Sequence, residues 1–118
     1  MAEELSVAAL RAEIDQIDEV LVRLLDRRAR CAYAIGRVKR TENRAVYEPA
    51  REATVLARVR EIDAALGGAL DGDAIARLFE RIIDEARRIQ RIEAARDTDA
   101  ASGDASSGGA VAAKGQRD

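Results

Sequence analysis

Histidine and tryptophan are absent from this 118-residue chain, and cysteine, proline, methionine and phenylalanine each occur once. Without an imidazole there is no histidine acid–base chemistry, no serine triad of the usual kind and no ordinary zinc site, so no metal is expected. Cys31 has no second cysteine to pair with within the chain, which points to a reducing compartment. Aromatic residues make up 3%, too few for base stacking, and a formal charge of −2 offers no footprint for a phosphate backbone. Nucleic acid is therefore not an expected partner. No apolar run approaches the roughly 18 to 20 residues that span a bilayer. The first residues, Met1-Ala2-Glu3-Glu4-Leu5, are acidic and lack the apolar core of a signal peptide. These observations predict a cytoplasmic protein with no membrane partner.

What remains is Ala, Arg, Glu, Leu and Ile, with glycine sparse before residue 97. This composition suits helices and a single small domain, a size that often gains stability by oligomerising. Residues 1–5 are expected to be a disordered N-terminus. From Ser6, a plausible N-cap, to about Arg40 the apolar positions alternate by three and four: Val7, Leu10, Ile14, Ile17, Leu21, Leu24, then Arg28, then Cys31, Ile35 and Val38. Such heptads describe a long helix lying along another long helix, and place Cys31 as an inert core residue. Residues 41–48 break the pattern.

A second helix is predicted over 49–66, opened by Pro49 and closed by Gly67-Gly68, with Ala53, Leu56, Val59 and either Ile62 or Leu66 as its stripe. A third, over 72–96 and capped by Asp71 or Asp73, carries Ile75, Leu78, Phe79, Ile82, Ile83, Ala86 and Ile89 on its inner face. The domain thus spans 6–96. Residues 97–118, mostly Ala, Ser, Gly and Asp, are expected to be a disordered tail. The fold class is all-α.

Several polar residues interrupt the apolar stripes. Arg28 sits at a seam position, where a guanidinium needs an anion; a register device or a side chain snorkelling out of the seam is the competing explanation. Lys39 is the sole lysine before the tail in a chain that otherwise uses arginine, which suggests a compact point charge; a surface lysine complementing a helix C-terminus explains it equally well. Gln90, one turn beyond Ala86, can donate into a buried site or be a satisfied core amide. Arg51 and Glu52 open the second helix, where arginine is mildly unfavourable. Arg11 and Lys39 are about 42 Å apart along a straight helix and cannot meet. If two copies of the first helix pack antiparallel about residue 22, Arg11 of the partner falls near residues 32 to 33, between Arg28 and Lys39. A two-fold dimer would then hold two identical anion pockets.

The runs Leu10-Arg11-x-x-Ile14-Asp15-x-Ile17-Asp18, Arg27-Arg28, Ile35-Gly36-x-x-Lys39, Val46-Tyr47-Glu48-Pro49-x-Arg51-Glu52 and Ile82-Ile83-x-x-Ala86-x-x-x-Gln90 resemble the all-helical, type II chorismate mutase family in order and spacing over about residues 6–95. The resemblance implies an intertwined antiparallel homodimer that rearranges chorismate to prephenate, in phenylalanine and tyrosine biosynthesis, without a cofactor. It implies that Arg11 of the partner subunit and Arg28 hold the substrate carboxylates. Lys39 would contact a carboxylate and the ether oxygen, and Gln90 that same oxygen. Glu52 would accept from the ring hydroxyl, Arg51 would support the site, and the Glu48 backbone N–H would help bind the hydroxyl. Ala86 departs from the pattern, standing where some relatives carry a serine that helps hold a carboxylate.

The family's reaction is an intramolecular Claisen rearrangement that moves no proton, so residues that clamp a dianion and stabilise charge growing on the ether oxygen suffice. Isochorismate-pyruvate lyase and a mutase of the amino analogue of chorismate share the implied fold and the cationic clamp, and remain open. So does a non-catalytic helical dimerisation module. The family resemblance also allows a transient partner enzyme of aromatic biosynthesis.

Overall fold

The computed structural model describes residues 5–107, which form three helices: α1 (Val7–Thr41), α2 (Pro49–Leu66) and α3 (Gly72–Ser107). Their boundaries follow local chemistry. The Ser6 hydroxyl accepts from the Ala9 N–H at 3.0 Å and caps α1. At its other end Asn43 adopts φ 56°, and its N–H and that of Arg44 close onto the Arg40 and Lys39 carbonyls. Pro49 opens α2 and Gly67, at φ 59°, ends it. Of the two capping candidates for α3 the structure selects Asp71, whose carboxylate accepts from the Ala74 N–H at 2.8 Å.

α3 runs on to Ser107, well past the end expected near residue 96. The segment Asp97-Thr98-Asp99-Ala100-Ala101 contains no glycine or proline to stop it. Asp97 is moreover tied to Arg40 of α1 at 2.8 Å, which gives the start of the extension a tertiary contact. The expected disorder of residues 108–118 and of Met1–Glu4 falls outside the described residues.

α3 packs against both other helices, while α1 and α2 do not pack on each other. Val59, Ala76 and Ile83 are buried at the α2–α3 contact, with Leu56, Phe79 and Ile82 half-buried around them. Ala53 and Leu78, expected on the inner stripes, are exposed instead, as are both Ile62 and Leu66, one of which was expected inside, and Val55 and Asp63 take the inward positions on α2.

α1 has two apolar faces. The one against α3 is built from small residues, Ala29, Ala32 and Gly36, and ends on Lys39, which is only 7% exposed. The heptad seam is turned elsewhere: Leu10, Ile14, Ile17, Leu21, Leu24, Ile35 and Val38 are each about half exposed. Cys31 is exposed with them and not a core residue of the single chain. Burial of Lys39 also removes the alternative of a surface lysine complementing a helix C-terminus.

Candidate active site

A cleft of about 320 Å³ opens where the C-terminal half of α1, the loop before α2, the start of α2 and the middle of α3 meet. It is lined by Arg28, Lys39, Glu48, Arg51, Glu52, Ala86 and Gln90, so one chain gathers seven of the eight residues singled out from the sequence. The eighth, Arg11, lies on the exposed N-terminal half of α1, about 26 Å along the helix from Arg28, and does not reach this cleft.

Lys39 points inward. Its ammonium donates to the Glu48 carboxylate and lies 3.5 Å from the Val46 carbonyl. This contact also explains a local irregularity. Glu48 stands at the N-cap of α2 yet makes no side-chain cap bond, because its carboxylate is drawn to Lys39. The hydrogen bond and charge of Lys39 hold the Glu48 carboxyl below its usual value, and Arg44 and Arg51 add a smaller pull.

Gln90 reaches back across the α1–α3 contact and donates from Nε2 to the Ala32 carbonyl at 2.6 Å. A carbonyl can only accept, so this contact fixes which end of the amide is nitrogen and leaves a second N–H to serve the cleft. The approach depends on Gly36, where a Cβ would lie 3.2 Å from Gln90 Cγ. Arg28 lies 5.9 Å from the centroid of the Phe79 ring, so its seam position is resolved by stacking on α3 at the edge of the cleft. Neither Arg28 nor Arg51 is paired with a carboxylate among the described residues.

Arg87 and Val55 were not singled out from the sequence, and Tyr47 and Ile83 entered only as motif and stripe positions, yet all four line the cleft. Arg87 meets both carboxylate oxygens of Glu52, at 3.0 and 3.1 Å, and its guanidinium carbon lies 5.2 Å from the Tyr47 ring centroid. The Nε contact is an ion pair without hydrogen-bond alignment. The signal was present: Arg87 is four residues after Ile83 and three before Gln90, on the inner face of α3, but one arginine among many drew no notice. Arg28, Lys39, Arg51 and Arg87 against Glu48 and Glu52 leave the cleft with two positive charges in excess.

A family model described as chorismate mutase type II matches residues 10–91. The chain belongs to the type II chorismate mutase family. Bifunctional chorismate mutase/prephenate dehydratases of Stutzerimonas stutzeri and Neisseria gonorrhoeae are 36% and 41% identical to it over 96 and 81 residues, which is 77% and 69% of this chain. Those alignments cover 26% and 21% of the relatives, so the chain spans about a quarter of their length or less. Among solved structures, the form II chorismate mutase of Thermus thermophilus superposes with a TM-score of 0.67 at 29% identity, covering 72% of this chain and 93% of that one. Residues 10–91, matched by the family model, contain the whole cleft.

Proposed function

We propose that this chain is a chorismate mutase, acting as an antiparallel homodimer on chorismate and releasing prephenate. The observation that carries the proposal is the cleft itself: Lys39 is buried and aimed inward, Gln90 stands on the facing helix, and the surplus of two positive charges matches a substrate with two carboxylates. Family membership supports the substrate, and the exposed α1 seam supports the second copy.

In this reading Arg28 and the partner's Arg11 bind the carboxylates and hold a flexible dianion in its compact, reactive conformer. An incoming carboxylate takes over the Lys39 ammonium from Glu48. Lys39 and the free N–H of Gln90 then stabilise the negative charge that grows on the ether oxygen as its bond to carbon lengthens and the new carbon–carbon bond forms. Glu52, held by Arg87, accepts from the ring hydroxyl, with the Glu48 backbone N–H beside it and Arg51 supporting the rim. Ala86 offers no hydroxyl to a carboxylate, so the cost of that departure falls on binding before chemistry. The domain is residues 6–96, and no helix of the described residues is long and apolar enough to cross a membrane.

The test is to add chorismate to the purified chain, follow its ultraviolet absorbance and identify the product. Prephenate is expected. In parallel reactions, isochorismate split to salicylate and pyruvate with chorismate left unchanged would assign the lyase, rearrangement of the amino analogue alone would assign that mutase, and turnover of none of the three would leave only a dimerisation module.

A further inference from the structure

On the reading proposed above, the ring hydroxyl of the substrate is met by Glu52 and by the Tyr47-Glu48 segment, and one side chain of α3 braces both. Arg87 lines the cleft, engages both oxygens of Glu52 and lies over the Tyr47 ring. Its charge matters as much as its shape. A lone carboxylate attracts an ammonium more strongly than a neutral hydroxyl, because a full charge outweighs a dipole at the same distance. With a guanidinium fixed at 3.0 and 3.1 Å, the pair is nearly neutral as seen from the cleft. The oxygen lone pairs that Arg87 does not use still accept from an O–H. An ammonium in the same place meets Glu52 and Arg87 together, and its attraction is largely cancelled. The neighbouring groups restore little of it: the Glu48 carboxylate, once substrate takes Lys39 from it, stays under the pull of Arg44 and Arg51, and Arg51 itself adds positive charge to the cleft. Asp84, 3.1 Å from the same guanidinium, is 55% exposed and screened by solvent.

We propose that Arg87 is a specificity-determining residue, which makes the Glu52 subsite select a ring hydroxyl against the ammonium of the amino analogue of chorismate. Its role is repulsive design, because it lowers the affinity for the wrong substrate more than it raises that for the right one.

The experiment compares kcat/KM for chorismate and for the amino analogue at neutral pH, in the full-length chain and in its Arg87→Gln and Arg87→Lys variants, with helicity checked by circular dichroism. The unaltered chain is expected to favour chorismate by about tenfold or more. Arg87→Gln should move that ratio toward the amine by about tenfold, mainly through KM, and Arg87→Lys should hold it within about threefold of the original. A structural role alone would lower both substrates together, and an unchanged ratio in a folded Arg87→Gln variant overturns the assignment. Equal use of both substrates by the unaltered chain overturns it without any variant, which covers an Arg87→Gln protein that does not fold. An unaltered chain that rearranges neither substrate would remove the proposed function itself, a different result from an active enzyme with an unchanged ratio.

Discussion

A methyl group at position 36 would sit 3.2 Å from Gln90 Cγ and 3.5 Å from its Nε2. Gly36 lies in the interior of α1, where alanine gains about 1 kcal/mol of helix propensity. The Gly36→Ala variant should therefore lose little stability to heat, yet its Gln90 side chain must give way by a few tenths of an ångström, which misaligns the amide. We expect kcat for chorismate to fall about tenfold, since small misplacements of a positioned group carry costs of this size. Lys39→Ala removes a proposed transition-state donor outright, and turnover should fall roughly 10²- to 10³-fold while the circular dichroism spectrum stays helical. Unchanged turnover there would end the proposed mechanism. The Lys39–Glu48 pair also sets a pH dependence. The Glu48 carboxyl titrates below its ordinary 4.5, so the pair contributes stability above that pH and loses it as pH falls through the lowered value. The difference in Tm between the wild type and Glu48→Gln should stay level near neutrality and shrink below pH 4.5.

Helix starts were legible because each is written in short-range chemistry: Ser6, Pro49 and Asp71 stand where the chain turns into α1, α2 and α3. The end of α3 was not, because alanine favours a helix while aspartate, serine and glycine disfavour it, so propensity sets no clear boundary there, and a supporting contact lies on another element. Arg40 and Asp97 are fifty-seven positions apart and joined at 2.8 Å. Both are partly solvated, so Asp97→Ala should cost no more than about 1 kcal/mol, measured as a shift in the denaturation midpoint. The packing face of α1 was hidden for a related reason. Ala29, Ala32 and Gly36 contribute little to an apolar stripe, yet their small size lets α3 come close enough for Gln90 to bond α1, and the bulkier heptad residues masked them.

The single chain measures 69 × 33 × 17 Å, with a radius of gyration of 20.0 Å, against about 13 to 14 Å for a compact fold of this length. An α1 about 52 Å long runs out beyond its contact with α3, and its heptad residues meet solvent. A stripe of that extent favours association, and we propose that its partner is a second α1 running the other way. Arg11→Ala and Arg28→Ala proteins should each be nearly inactive, and mixing them should restore one competent site per heterodimer. Activity in the mixture no greater than in its parents would show that the sites do not cross the subunit boundary.

Periodicity, caps and breakers determined that this chain is three helices, and the spacing of its cations along α1 already required a second copy for Arg11 to meet Lys39, because a helix is rigid and its rise per residue is constant. Only the tertiary structure decided which groups face one another: Lys39 against Glu48, Gln90 against Ala32, Arg87 against Glu52. Those pairings join positions 9, 58 and 35 residues apart, and they depend on how deeply small side chains let helices approach. Distances of that kind are set by packing in three dimensions and leave no period in the sequence.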